Sequence, residues 1–570
     1  MHRFKKGVIL IKKNKQLEVA FLGGVGEIGK NMTAICYAND ILIVDCGSTF
    51  PSMDDTPGID LIIPDFAFIK ENIDKVKGIV ITHGHEDHIG GIPYLLAECG
   101  NIPVFGSSLA IALIKHKLTE KKINMPKLNV VKGGDKKNIG VFSVEFVNVT
   151  HSILGAFALA ITTPAGVVFH TGDYKIDYTP VDGESIDLGR IADIGKAGVT
   201  LMLGESTNIE KKGTTISEKE VGITLQRVIE SNADKRIIIA TFASNVNRVQ
   251  QIVSTCEKVG RQVAFDGRSM VNISEMAKKL GMLECKENTI IPIEEIKGVE
   301  PQKLCIISTG SQGEPMSALT RMANGEDKEV VIGENDVVAI SSQPIPGNEK
   351  AVYTLINNLY RRGAKVLYGS LEQLHVSGHA CQDELKLMLS LVRPKYFIPV
   401  HGEYRHLKKH EELALSMGIP KENIRLVDIG NRVAVKKKSI QLVQSVEAGE
   451  VYVDGDSNVD SLVLRDRKQL STDGVVILLL NIDVENRQLY SVDILARGMV
   501  FEEEFLEDLK KLAEDIFETS SYKNESDRGG LKNNLKRKIS RVILNKLRQR
   551  PMVLPLLIEQ VRSDKTEGEE

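Results

Sequence analysis

The sequence predicts a multidomain α/β protein, and three features carry that expectation. The chain has 570 residues, more than one hydrophobic core ordinarily serves, so two to four domains are expected. Short apolar runs bounded by Gly, Pro, Asn and Asp read as strands through the first 205 residues, at 17–22, 41–44, 76–81, 142–147 and 167–170. From residue 217 to 371 the style changes. Helix-period stretches (218–231, 246–260, 269–280) alternate there with buried strands (236–240, 304–308, 337–340), the pattern of a doubly wound unit.

A strand at 365–368, a helix at 382–391 and a strand at 396–400 continue as β-α-β. A bridge of low hydrophobicity (445–458) then leads to a small α+β tail. In it VVILLLNID and QLYSVDILA read as a hairpin, 503–518 as an amphipathic helix, 531–550 as a basic helix and MVLPLLIE as a last strand. The final EGEE reads as a frayed end, and no internal repeat is visible.

Composition narrows the classes of function. With 42% hydrophobic and 26% charged residues the chain is globular, and its net charge of −3 offers nucleic acid no global positive field. A nucleic-acid partner therefore needs a local basic groove. The seven cysteines are scattered, odd in number and never in C-x-x-C. Free thiols in a reducing cytoplasm follow, and a thiolate zinc site is excluded. MHRFKKGVILIKKNK has its apolar stretch broken by lysines and is no signal sequence. No run of roughly twenty apolar residues exists to span a bilayer, so no membrane partner is expected.

Gly24, Gly26 and Gly29 spell G-x-G-x-x-G after a strand, with Asp45 near the distance of a ribose-binding acid. A dinucleotide site needs a helix opening at those glycines. The residues that follow, NMTAICYAND-ILIVDCG, alternate like a hairpin with its turn at Asn39-Asp40. The crossover helix is missing, and the glycines are read as a tight turn beside a site.

The strongest local feature is T-H-G-H-E-D-H-I-G-G at 82–91. Three of the twelve histidines and two carboxylates crowd into six positions just past a strand, where α/β sheets place their chemistry. In H-x-H-x-D-H, His83 and His85 can reach one metal ion, while Asp87 and His88 turn toward a second. Imidazole and carboxylate without thiolate suit Zn²⁺ or Mn²⁺ with an open, catalytic position. Two ions need further ligands. His151, Asp173 (in F-H-T-G-D) and His401 (in P-V-H-G-E) each sit just past an apolar strand, so all three can converge on one rim. His170 is expected beside the ligands rather than among them. Solvated loop histidines, the plain alternative, leave that recurrence unexplained.

The set resembles the metallo-β-lactamase fold, and the whole chain resembles ribonuclease J of the β-CASP branch. FLGGVGEIGKNM, THGHEDHIGG, LGESTN, TFASNV, TGSQGEP, HVSGH and PVHGE stand in that family's order over residues 16–450. H-x-H-x-D-H alone marks only a large hydrolase superfamily; its combination with HVSGH and PVHGE is far more specific. The resemblance implies an αββα sandwich (16–207 and 374–450) split by an α/β β-CASP insert (208–373). An N-terminal arm (1–15) would precede it, with a linker (451–459) and an α+β C-terminal domain (460–570) behind. It also implies two divalent ions per subunit, zinc first and manganese second. His83, His85 and His151 would hold one ion, Asp87, His88 and His401 the other, with Asp173 between them. Two adjacent cations lower the pKa of a shared water and stabilise both oxygens of an in-line displacement, which a phosphodiester most needs.

By the same resemblance Glu205, in LMLGEST, stands at acidic motif A, where aspartate is frequent, and His379 stands at motif B. Either would move a proton to the leaving oxygen or orient His401 and the metal, with Asp87 a third catalytic candidate. His375, Val376, Ser377, Gly378 and His379 would grip substrate phosphate at a helix head with free N–H groups, as a 5′-monophosphate pocket. Ser244 and Asn245, ahead of Arg248, are a similar candidate, and 309–314 is either another or a plain glycine turn. The basic tail helix would touch RNA phosphates or be a solvated face. The tail's apolar strands would make a homodimer or homotetramer contact.

The expected protein is thus a cytoplasmic ribonuclease acting on single-stranded RNA in 5′→3′ exonuclease and endonuclease modes, in RNA maturation and mRNA decay, alone or with a paralogue in a degradation complex. A β-CASP nuclease for DNA is the near rival. A non-catalytic RNA-binding paralogue is the distant one, and loss of metal ligands would mark it; all seven are present.

Overall fold

The structure is a computed structural model that describes residues 16–51, 56–345, 348–369, 374–483, 488–520, 522 and 527–560. The expected N-terminal arm (1–15) and the EGEE end lie outside them. The chain forms two compact units. One joins the chain up to Thr49 with Ile62–Glu450, and the other joins Phe50–Leu61 with the chain from Val451 onward. Two expectations are corrected here. Residues 50–61, assigned to the sandwich, belong with the C-terminal unit. Residues 451–459, expected as a linker, form a hairpin of Glu450–Asp454 against Ser457–Val459, in which the short run Val451–Val453 is flanked by polar residues and Val453 is buried.

In the first unit an eight-stranded sheet runs in the order Ile440–Val443, Arg432–Val435, Leu17–Gly23, Met32–Tyr37, Asp40–Val44, Val76–Val80, Val104–Gly106, Leu128–Val130. A six-stranded sheet runs Tyr396–Val400, Leu201–Glu205, Gly166–His170, Ala156–Thr163, Phe142–Val149, Lys136–Ile139. Leu17, Phe21, Leu42 and Val80 from the first sheet meet Phe146, Leu159, Leu203 and Ile398 from the second in one core. Helices cover the outer faces. Ile191 and Ile194 of Leu188–Ala197, with Leu385 and Met388 of Gln382–Val392, pack on Phe169 and Met202. Ser108–Glu120 packs on Val104–Gly106. Burial on both faces is why these strands read as continuous apolar runs. The hairpin turn falls one residue earlier than expected, at Ala38-Asn39, where Ala38 takes φ 54° and Asp40 pairs with Tyr37.

Between the sandwich's two parts, six parallel strands run Ile290–Ile291, Gln262–Asp266, Leu304–Ser308, Arg236–Ala240, Asp336–Ile340, Lys365–Leu367. The flanking helices include Glu218–Glu230 and Val246–Val259, as the 3.6-residue period requires. Arg248 is fully buried there. Its Nε and Nη2 donate to Glu218 Oε1 and Oε2 at 2.7 and 2.9 Å, and Nη1 donates to the Ser341 carbonyl at 2.6 Å. In the second unit Val475–Asp483 pairs antiparallel with Gln488–Arg497 and parallel with Met552–Gln560. Helices Glu503–Glu518 and Arg528–Leu547 cover one face of that sheet through Phe505, Leu509, Leu535 and Ile539. A helix at Ser461–Asp473 was not anticipated from the sequence. All seven cysteines are unbridged, and no helix among the described residues is long and apolar enough to cross a membrane.

The buried Arg248–Glu218 pair ties two helices to a strand end. Arg248→Met leaves the Glu218 carboxylate buried without its partner, a cost of about 3–5 kcal/mol. Urea denaturation should place the Arg248→Met midpoint well below wild type, and Arg248→Met with Glu218→Leu should recover part of the loss. An unshifted midpoint in the single variant contradicts this.

Candidate metal centre

The centre is assembled from loops at strand ends. Gly166–His170, Leu201–Glu205 and Tyr396–Val400 run parallel side by side, so the residues leaving their C-terminal ends, Asp173, Glu205 and His401, share one edge. His151 follows the strand Phe142–Val149 of the same sheet. The loop 82–88 comes from the facing sheet and is held across by the Phe157 N–H, which donates to the Thr82 carbonyl at 2.9 Å.

Two groups of donor atoms adjoin. In the first, His83 Nε2 and His151 Nε2 lie 3.0 and 3.1 Å from His85 Nδ1. In the second, His88 Nε2 lies 3.1 Å from Asp173 Oδ2 and 3.6 Å from Asp87 Oδ2. His401 completes it, with Nδ1 2.9 Å from Asp173 Oδ1 and Nε2 3.2 Å from Asp87 Oδ2. Asp173 Oδ2 also stands 3.7 Å from His83 Nε2, so one carboxylate faces both groups. All seven residues singled out as ligands are brought together, and within each group the donor atoms lie within 4.8 Å of one another.

The two groups differ electrostatically. Burial holds His83 and His151 well below the ordinary imidazole range and His85 down to about 4, so each keeps a lone pair. In the second group burial opposes protonation of His88 and His401. The carboxylates of Asp173 and Asp87 outweigh it, raising His88 and pushing His401 up to about 10. Burial likewise works against charge on Asp87 and Asp173, yet His88 and His401 hold both carboxyls below their usual range.

A divalent cation fits these residues. Three imidazole nitrogens converge, two of them about 3 Å from the third, and in the tautomer that turns their lone pairs inward they can share one cation. His401 Nε2 is buried 3.2 Å from Asp87 Oδ2 but not aligned for a hydrogen bond with any described residue. The donors are nitrogen and carboxylate oxygen only, as borderline cations prefer.

Known families match the chain in the same order. Models match for the metallo-β-lactamase superfamily over 25–185, the ribonuclease J β-CASP domain over 234–359, the Zn-dependent metallo-hydrolase RNA specificity domain over 364–425 and the ribonuclease J C-terminal domain over 462–560. A ribonuclease J from Synechocystis sp. is 40% identical over 561 residues, covering 96% of this chain and 87% of its own. The chain belongs to the ribonuclease J family. Ribonuclease J 1 of Streptococcus pyogenes is 44% identical over 496 residues, 86% of this chain and 87% of its own. A crystal structure of a protein of unknown function from Enterococcus faecalis shares the fold, with TM-score 0.52 and 17% identity over 74% of this chain and 100% of that one. The sandwich is thus the metallo-β-lactamase fold, and the six parallel strands are its β-CASP insert.

In this ribonuclease J chain the donors are held by residues that spacing did not single out as supports. Asp45 Oδ2 accepts from His88 Nδ1 at 2.8 Å, and the same carboxylate takes the Thr82 N–H and hydroxyl, each at 2.8 Å. That turns His88 Nε2 toward the centre. His151 Nδ1 donates to the Gly378 carbonyl at 2.6 Å, freeing Nε2 in the same way. The Gly24 carbonyl accepts from the His401 N–H at 2.7 Å, so the glycine loop braces the backbone of a candidate ligand. Asp45 and His401 hold left-handed backbones, φ 58° and 51°, which non-glycine residues adopt only where surroundings over-determine them.

The remaining candidates divide. His379 Nδ1 lies 3.3 Å from Glu205 Oε2 and 3.8 Å from Asp173 Oδ2, and its side chain keeps 22% exposure. Glu205 is buried, and its oxygens accept the N–H groups of Tyr174, Ala380 and Thr207. His170 Nδ1 accepts from the Gly172 N–H at 3.0 Å and stands outside every donor group. The expected free helix head after HVSGH is absent. Helix Gln382–Val392 begins beyond it, and the N–H groups of Cys381, Gln382 and Asp383 go to Glu384, Lys211 and Gly213. Ser377 Oγ accepts from Asn208 at 2.7 Å, while Asn245 caps its own helix by accepting the Arg248 N–H at 3.1 Å. Gln312 in TGSQGEP bridges to Ser342 and Gln343, so that turn is structural.

Asp45→Asn should weaken metal binding roughly 10–100-fold without touching a donor, as loss of such a partner does. Competition against a chromogenic chelator measures it; wild-type affinity in the variant contradicts the role.

Proposed function

We propose that this chain is a two-metal ribonuclease that cuts single-stranded RNA in both 5′→3′ exonucleolytic and endonucleolytic modes, in RNA maturation and mRNA decay. Membership of the ribonuclease J family makes it a metal-dependent ribonuclease; the finer statements are our reading. One observation carries it: two adjoining donor groups, one of neutral imidazoles and one rich in carboxylate, share Asp173.

In this reading His83, His85 and His151 hold one ion, Asp87, His88 and His401 the other, and Asp173 faces both. Zinc is the first expectation and manganese the second. Such a pair supplies the positive charge that activates water and steadies the attacking and leaving oxygens at phosphorus. Asp87 and Asp173 fix the spacing of that charge. His379 moves a proton to the leaving oxygen: its side chain is partly open to substrate, and the Glu205 and Asp173 carboxylates raise its pKa against the effect of burial. Glu205 orients His379.

His375 to His379 are proposed to favour a 5′-monophosphate end, with Ser244 a separate phosphate contact. Support comes from His375, whose buried Nδ1 has no hydrogen-bond partner among the described residues. Self-association as a dimer or tetramer is proposed through the C-terminal sheet, whose uncovered face exposes Tyr490, Leu495, Leu554 and Leu556. A cytoplasmic setting, with a paralogue or degradation complex as partner, accords with these features.

The test offers 5′-labelled single-stranded RNA with a monophosphate or triphosphate end, and the matching DNA, to wild type and His85→Ala with Mn²⁺ or Zn²⁺. Labelled mononucleotide released from monophosphorylated RNA by wild type alone is the expected result. Internal fragments alone would remove the pocket from the proposal, and no cleavage by folded, metal-loaded wild type would overturn it.

A further inference from the structure

Residues 528–550 carry nine Lys and Arg and no Asp or Glu, in a chain of net charge −3. They include the whole helix Arg528–Leu547, which buries Leu531, Leu535, Ile539 and Ile543 as a stripe with four-residue spacing. Lys536, Arg537, Lys538 and Arg541 are left exposed on the remaining sides. None of these four pairs with a carboxylate among the described residues, where the one hydrogen bond made by any of them is Arg537 to Asn534 Oδ1 at 3.4 Å. Other surface cations do sit on carboxylates, as Lys117 does on Glu86 and Arg190 on Glu145.

Folding does not favour such a cluster. Lys532 and Lys536, and Arg537 and Arg541, are like charges four residues apart, which repel along a helix. The helix dipole accounts for a cation in the last turn, such as Lys546, but not for four in the middle. A polyanion supplies the missing favourable partner. Arg537 and Arg541 are one turn apart, about 6 Å along the axis, and guanidinium forks match phosphate oxygens. The polar residues beside them are Asn533, Asn534 and Ser540, and no large apolar side chain of Arg528–Leu547 is exposed. A protein interface core or a membrane-surface helix needs such anchors; a phosphate backbone does not.

We propose that this helix face binds the phosphates of single-stranded RNA, a sequence-independent contact additional to those at the metal centre. The proposal rests on the ribonuclease reading. The test compares the full chain, a K536Q/R537Q/K538Q/R541Q variant and the charge-conserving K536R/R537K/K538R/R541K variant. Binding of long single-stranded RNA is measured across a salt series in a His85→Ala background, with cleavage of a trinucleotide assayed in the otherwise wild-type chain. The neutral variant should bind at least about tenfold more weakly at 100 mM salt, with the log–log salt slope reduced by about 3. The charge-conserving variant should match wild type, and trinucleotide cleavage should be equal in all three. Unchanged affinity and slope in the neutral variant overturn the proposal, as does equal loss in the charge-conserving variant. Absence of trinucleotide cleavage in every protein would instead strike the ribonuclease reading.

Discussion

The Asp173 carboxylate, 2% exposed, is the constraint the rest of the centre answers to. A buried carboxylate is expensive unless positive charge meets it. Here Oδ1 faces His401 while Oδ2 faces both His88 and His83, so the carboxylate borders both donor groups. Every element of the sandwich that bears on the site can be understood as delivering a counter-charge, or a lone pair able to hold one, to that carboxylate. The parallel run of three strands sets Asp173, Glu205 and His401 on one edge, and the facing sheet brings His83, His85, Asp87 and His88 against them.

Holding such a cluster demands rigidity in the layer behind it. His88 and His151 each spend one ring nitrogen on a fixed acceptor, Asp45 or the Gly378 carbonyl, leaving the other aimed inward. His401 is fixed from behind by the Gly24 carbonyl and tolerates a left-handed backbone at that point. These contacts link parts of the chain far apart in sequence. Gly378 thereby ties the segment after the β-CASP insert to His151, so the insert is anchored through a contact that also orients a donor.

Much of this was legible in the sequence, for a physical reason. His83, His85, Asp87, His88, His151, Asp173, Glu205 and His401 all share one signature, a polar residue just past a buried strand, and that signature follows from where sheets end. Asp45 carries it too, but its spacing from Gly24 competes for a dinucleotide reading, and only the missing crossover helix removes that. Carbonyl acceptors such as Gly378 leave no side-chain trace. Asn245 shows the converse, a polar residue in a suggestive motif whose side chain is taken up by capping a helix. The strand at Glu450–Asp454 was hidden because its apolar run, Val451–Val453, is only three residues long and set among polar residues and glycines, and the place of residues 50–61 depends on packing that no local pattern encodes.

The central claim is that one carboxylate faces two cations. Metal analysis of the purified full chain by inductively coupled plasma mass spectrometry, after equilibration with Zn²⁺ or Mn²⁺ and removal of free ion, tests it most directly when wild type is set beside Asp173→Asn. Two ions per chain in wild type, with both occupancies reduced in the variant, is the predicted result. One ion or none in folded wild type, or two ions retained in Asp173→Asn, would contradict the account.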